Sequence, residues 1–157
     1  MAHKLSEDTK IINGLAPSAD LFDSDPATDV VSMKHYDRLA FMLIGVATTG
    51  TAVVTVEECD NFTPSNSTAI AFSVRKNDAF ATDTLGADVA VSAAGYTTPT
   101  SATFMHIIEV KGATLTDGFP NVRVVCTEGV DAAVIGTVVC LGSDAKYFGS
   151  TLPTAIA

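Results

Sequence analysis

Three histidines are the side chains of this sequence best suited to acid–base chemistry: His3, His35 and His106. A general base has to lie within hydrogen-bond reach of the proton that it removes. The sequence contains neither the Gly-x-Ser-x-Gly turn that presents a nucleophilic serine nor a glycine-rich phosphate loop. We expect His3 in solvent and His35 at a strand end. His106 shares a predicted strand face with Phe104 and Ile108, so we expect it to be hydrogen-bonded in the core or at an interface.

Acidic residues form two clusters that could act in catalysis or bind a metal. Glu57 and Glu58 are adjacent, but neighbours on a strand point to opposite faces and cannot act as an acid–base pair. Asp20, Asp23 and Asp25 could surround a calcium ion, although the EF-hand spacing and its closing glutamate are missing. Calcium binding by the loop of residues 20–29 stays an alternative. We otherwise expect no catalytic residue, no metal site and no cofactor.

Cysteine usage predicts inert thiols. Cys59, Cys126 and Cys140 are an odd number without a Cys-x-x-Cys spacing, which argues against a disulfide framework and a zinc site. Cys126 and Cys140 adjoin apolar residues, and Cys59 directly follows the alternating segment 51–58, so we expect buried, unreactive side chains. Free thiols also favour synthesis in a reducing, cytoplasmic compartment.

The net charge limits the classes of partner that this protein can bind. The net charge is −9, which opposes binding to nucleic acid and to an anionic membrane. We expect no secretory leader, and the longest apolar stretch, residues 39–47, is shorter than the ~20 residues of a membrane span. Charged residues make up only 17% of the chain, against about 25% in an average soluble domain. This deficit suggests that another subunit covers part of the surface.

Strand-like alternation dominates the chain after residue 30. In residues 51–58, Ala52, Val54 and Val56 share one face, which is the two-residue period of a strand. Comparable segments are residues 68–75, 103–110, 122–127 and 132–141. We therefore predict an all-β fold, an antiparallel β-sandwich of about eight strands. A jelly-roll order is one variant, and the pattern alone does not separate a sandwich from a barrel.

Residues 38–46 are apolar on both faces of the predicted strand. Leu39, Phe41 and Leu43 alternate with Met42 and Ile44. A strand of this kind is covered on both sides, so we expect another subunit or the N-terminal arm against its second face. A helix is the alternative, because Leu, Ala and Met have good helix propensity.

The 157 residues fit one domain. We divide it into an N-terminal arm with an acidic loop (residues 1–29), a β-sandwich (30–142) and a C-terminal arm (143–157). Both arms are too apolar for free tails, so we expect them to contact other chains. The predicted contact residues are Lys4, Leu5, Ile11, Ile12, Leu15, Met42, Ile44, Tyr147, Phe148, Leu152, Pro153 and Ile156.

Several short sequence segments, taken in their order along the chain, resemble those of a family of head decoration, or cement, proteins of tailed bacteriophages. The segments are Lys4-Leu5-Ser6, Gly14-Leu15-Ala16-Pro17, Val31-Ser32-Met33-Lys34-His35-Tyr36, Asp117-Gly118-Phe119-Pro120-Asn121-Val122-Arg123-Val124, Tyr147-Phe148-Gly149 and Leu152-Pro153. The resemblance lies in short sequence segments spread over most of the chain, and it carries no catalytic residue. It implies a non-enzymatic structural protein on the outer capsid surface of a virion, made in the host cytoplasm. Its partners would be the major capsid protein and copies of itself.

Two other functional classes of protein stay as alternatives. The first is another virion component, such as a tail-tube, head–tail joining or fibre-base protein, because those also use sandwiches and arms. The second is a non-viral carbohydrate-binding sandwich. Sugar binders present exposed aromatic residues, and this chain has no tryptophan and three tyrosines, which counts against that class.

Overall fold

The computed structural model describes residues 4–146 and 152–156, and these residues form two antiparallel sheets packed face to face. The all-β sandwich prediction is therefore confirmed. The described residues contain eleven strands, of which eight have four residues or more. The strands in chain order are β1 (Lys10–Ser18), β2 (Val31–Ser32), β3 (Tyr36–Ala47), β4 (Thr51–Cys59), β5 (Ser67–Ile70), β6 (Phe72–Asn77), β7 (Val89–Val91), β8 (Tyr96–Thr97), β9 (Thr103–Lys111), β10 (Asn121–Val130) and β11 (Val134–Ala145).

The two sheets differ in size. One sheet has the order β1-β11-β3-β9-β6-β7, and the other has the order β2-β10-β4-β5, with β8 paired to β4. A short helix, α1 (Leu5–Asp8), precedes β1, and a 3₁₀ turn (Gly112–Thr114) follows β9. The six-stranded sheet thus has its longest strands, β3 and β11, side by side near its middle.

The core lies between the sheets and is built from alternate residues of each strand. Leu39, Phe41 and Leu43 of β3 face Val54 and Val56 of β4 across the sandwich, and all five residues are fully buried. The strand prediction for residues 38–46 is confirmed and the helix alternative is wrong. Pairing decides this, because β3 hydrogen-bonds to β9 on one side and to β11 on the other, which outweighs a weak helix propensity.

The N-terminal segment lies on its own domain. Residues Lys10–Ser18 pair antiparallel with β11 and form an edge of the six-stranded sheet. Ile12 is in the core, and Leu21 and Phe22 in the following loop are also buried. Residues 10–22 are therefore part of the sandwich and not a separate arm, because their apolar side chains are buried against it.

The described C-terminal residues also pack on the domain. Leu152 and Ala155 are buried in the core, and the amide of Ser32 donates to the carbonyl of Ala155 at 2.7 Å. The hydroxyl of Tyr36 donates to the carbonyl of Pro153 at 2.5 Å. The predicted contact residues Tyr147 and Phe148 lie outside the described residues.

Candidate interaction surface

The outward side of the six-stranded sheet carries rows of apolar side chains. Alternate residues of a strand point to opposite faces, so the residues between the core positions of β1, β11, β3 and β9 share this side. We call them the outer face. Its rows across the sheet are Ile11–Leu141–Ala40, Val139–Met42–Ile107, Thr137–Ile44–Met105 and Ile135–Val46. Every position in these rows except Thr137 is apolar. At their edges the rows continue into polar residues, with Asn13 of β1 beside Val139, Glu109 of β9 beside Ala40 and Thr103 of β9 beside Val46.

The outer face is accessible to solvent. Its border residues Ile11, Ile135 and Val46 are 53%, 62% and 45% exposed. The central residues, among them Met42 and Ile44, are half-buried, because their neighbours in the sheet cover their flanks. An apolar patch on a complete sandwich is unusual, since soluble proteins rarely leave a large contiguous apolar surface in water without a functional reason.

The outward side of the other sheet is different. Its central register pairs are Glu57 with Arg123, Thr55 with Val125 and Val53 with Thr127. The Arg123 guanidinium donates to one Glu57 carboxylate oxygen from Nε at 2.9 Å and from Nη2 at 2.7 Å. This side mixes charged, hydroxyl and apolar groups, as expected of a solvated sheet surface. The outer face is therefore the more apolar of the two outward sides.

Charges lie at the ends and flanks of the outer face. At the end where β3 begins, Arg38 pairs in register with Lys111 and forms an ion pair with Asp144 at 3.6 Å. On the flank, Arg75 pairs with Ile107 and Glu109 pairs with Ala40. The Arg38 end is therefore the more basic end of this sheet.

The opposite end of the sandwich is acidic. The side chain of Asp20 accepts a hydrogen bond from the Val134 amide at 3.4 Å, and Asp25 accepts one from the Glu128 amide at 2.6 Å. Desolvation and the nearby carboxylates of Asp131, Asp20, Asp23 and Asp25 raise the pKa of Glu128. Within residues 4–146 and 152–156 no group of His, Cys, Asp and Glu is arranged to hold a metal ion, so the loop of residues 20–29 gains no support as a calcium site.

The structure brings together only some of the predicted contact residues. Ile11, Met42 and Ile44 lie on the outer face. Lys4 and Leu5 are exposed at the start of α1.

The remaining described contact residues pack on their own domain. Ile12 and Leu152 are only 3% and 6% exposed and belong to the core, so their assignment as contact residues is corrected. Leu15 and Ile156 are half-buried against that core, and the carbonyl of Pro153 is occupied by Tyr36.

Sequence reasoning missed the residues that complete the outer face. Val139 and Leu141 lie beside Met42 and Ala40, and Met105 and Ile107 lie on the other side of β3. The signal was present in β11, which is apolar on both faces like β3. Residues 132–141 are predicted as a strand, but the alignment of its outward residues with those of β3 depends on register, which the sequence does not give.

The best-placed polar cluster contains His106. Nε2 of His106 lies 2.7 Å from Oδ1 of Asp78, and Nδ1 lies 2.9 Å from the hydroxyl of Tyr96. The ring is fully buried. Desolvation lowers the pKa of His106, against the opposing effect of Asp78. Both ring nitrogens are occupied, so His106 has no lone pair for a substrate, and the prediction of a hydrogen-bonded core histidine is confirmed.

The cysteines are inert in this structure. Cys59, Cys126 and Cys140 are free and buried, as predicted. Burial raises the pKa of Cys126 to about 12 and also raises the pKa values of the other two thiols. The thiolate is the reactive form, so none of the three is available as a nucleophile at neutral pH.

No family model, no curated protein and no solved structure matches this chain. Within the described ranges no helix is long and apolar enough to cross a bilayer.

Proposed function

We propose that this protein is a structural component of a tailed-phage head that binds the outer capsid surface and stabilises the shell. The proposal gives it no catalytic step. The observation that carries it is the apolar outer face, because a surface of this kind on a domain with its own core is typical of proteins that work within an assembly. The resemblance to decoration proteins supplies the kind of assembly, with the major capsid protein as partner and the virion surface as its location.

The ends of the chain support this role. Lys10 pairs with Gly142 at the start of β1, and Tyr36 at the start of β3 contacts Pro153. Both terminal segments therefore lie at the Arg38 end of the sandwich. Lys4 and Leu5 are exposed at this end, ahead of β1. We propose this end as the capsid contact, which leaves the outer face accessible on the bound protein.

The edge strand β1 suits a lattice-binding protein. An edge strand has one row of backbone groups that are not paired within its own sheet, and a neighbouring chain can add a strand there. Each such contact is weak, but repetition over a capsid lattice multiplies modest affinities.

The test is co-sedimentation of the purified chain with heads that lack it, taken from a phage whose genome encodes it. We expect saturable binding at a lattice-wide copy number and a higher melting temperature of the decorated heads. Leu5→Asp should reduce binding at least tenfold, whereas Val130→Asp, at an exposed apolar position at the opposite end of the sandwich, should not. Binding at six or twelve copies per particle would favour the tail or neck role, and absence of binding to any particle would refute a virion role.

A further inference from the structure

We propose that the occupant of the outer face is a second copy of this chain, packed sheet on sheet about a two-fold axis. This inference rests on the proposed assembly role and names the partner of its apolar surface. Three properties of the outer face favour a second copy: its shape, its area and the distribution of charge along it.

The first property is shape. The outer face is the surface of four neighbouring strands, with side chains standing perpendicular to the sheet. Two such faces can interdigitate at the roughly 10 Å spacing of packed sheets, as the two sheets of a sandwich do. Met42 and Met105 lie in the two central rows, and the flexible methionine side chain adapts readily to an irregular opposing surface. A face of this kind is complementary to itself, as a two-fold interface requires.

The second property is area. A strand spacing of about 4.8 Å and a two-residue repeat of about 6.8 Å give roughly 33 Å² per outward side chain. The rows from Ile11 to Val46 then cover roughly 350 Å² in projection. A standard interface buries about 800 Å² per partner, of which somewhat more than half is apolar. The outer face therefore has about the size of the apolar centre of such an interface, with Glu109, Arg75 and Arg38 available for the rim.

The third property is charge. Arg38 and Lys111 lie at one end of the outer face, where Asp144 forms an ion pair with Arg38, and Asp20 lies at the other end, beside Val134. The two ends are ~30 Å apart along β3. A two-fold axis that lies in the interface plane, perpendicular to the strands, sets the strands of the two copies antiparallel and brings the basic end of each copy toward the acidic end of the other. The net charge of −9 opposes association at a distance, and this arrangement offsets part of that repulsion at contact.

The experiment measures the mass of the purified full-length chain in solution by light scattering and sedimentation equilibrium over a range of concentrations. We expect twice the chain mass. Met42→Lys places a charge at the centre of the face and should weaken dimerisation at least tenfold. Val53→Lys makes the same kind of change on the outward side of the other sheet, at another half-buried strand position, and should leave the dimer intact.

Ile135→Lys is a second test at a 62% exposed position, where a lysine does not disturb folding. It should weaken the dimer while the far-ultraviolet spectrum stays unchanged. A monomeric wild-type chain, or equal dimerisation of Met42→Lys and Val53→Lys, would overturn the inference. Capsid co-sedimentation of the same samples separates the two proposals. A dimer that does not bind heads refutes the proposed function alone, and a monomer that binds heads through Met42 shows that a capsid subunit covers the face.

Discussion

The hydroxyl of Tyr96 and Nδ1 of His106 are 2.9 Å apart, and this hydrogen bond joins the two sheets through the core. Tyr96 lies in β8, which pairs with β4, whereas His106 lies in β9 of the six-stranded sheet. The Asp78 carboxylate accepts a hydrogen bond from Nε2 of His106, so the neutral ring leaves Nδ1 to accept from the tyrosine. The ring of Phe104 packs 4.9 Å from that of His106, and the Lys76 ammonium lies 4.4 Å from the centre of the Tyr96 ring.

Tyr96→Phe tests this link. The substitution keeps the ring but leaves Nδ1 of the buried His106 without a donor, and an unsatisfied buried acceptor costs about 1–3 kcal/mol. We expect the free energy of unfolding to fall by that amount in urea titrations at pH 7.5. Thr97→Val, at the exposed neighbouring position, is the control and should change the value by less than about 0.5 kcal/mol. An unchanged stability of Tyr96→Phe would show that the hydrogen bond does not hold the sheets together.

Lowering the pH should reduce the stability that the Tyr96–His106–Asp78 cluster contributes to the fold. Desolvation lowers the pKa of His106 in the folded state, below the value of about 6.5 expected in the unfolded chain. The unfolded state therefore binds the proton first as the pH falls. Stability is fully present above about pH 6.5 and decreases below it, with a limiting slope of about 1.4 kcal/mol per pH unit, until the folded-state pKa is reached.

The measurement compares urea titrations at pH 7.5, 6.5 and 5.5 for the wild type and for His106→Gln. The wild type should lose more stability over this range than the variant, because glutamine does not titrate. Keeping the measurements above pH 5 limits the contribution of carboxylate protonation to the change in stability. If the free energy of unfolding changed equally with pH in the two proteins, the assignment of this pH dependence to His106 would be contradicted.

The turn that places Tyr96 depends on Gly95. Gly95 has φ +78°, and an added Cβ would lie 2.3 Å from the carbonyl oxygen of Val54. Gly118 also has positive φ, at +89°, but an added Cβ there meets nothing within 4 Å. We expect Gly118→Ala to cost about 1 kcal/mol of backbone strain and Gly95→Ala to cost at least about 2 kcal/mol more, because β4 must shift as well. Equal thermal midpoints for the two variants would contradict the close approach of Gly95 to β4.

The C-terminal segment should stabilise the domain. Leu152 is 6% exposed in the core, so Leu152→Ala should cost about 2–3 kcal/mol through lost burial and the cavity that remains. Thr154→Ala, at an exposed position two residues away, should be close to neutral. Urea titration of the two variants measures the difference. A neutral Leu152→Ala would restore the sequence expectation that this residue contacts another chain and not its own core.

Alternation of residue types was enough to predict most of the strands. Val54 and Val56, Phe104 and Ile108, and Val122 and Val124 are all buried on the expected faces, because a two-residue period leaves a strand only one way to bury its larger side chains. The terminal segments followed no such period. Ile12 therefore seemed available to a neighbouring chain, and only its pairing with Cys140 in β11 reveals that it belongs to the core.

The order of residue types along the chain is enough to predict an all-β protein, three buried thiols and a strand β3 that is apolar on both faces. Local side-chain period and residue type are sufficient for those conclusions. The neighbours of β3 in the sheet are known from the fold alone. Register sets Met42 beside Val139 and Ile107 and so converts single apolar residues into one surface. Packing of the two sheets brings Tyr96 to His106 across the core. No local pattern specifies strand pairing or sheet packing, because both are non-local.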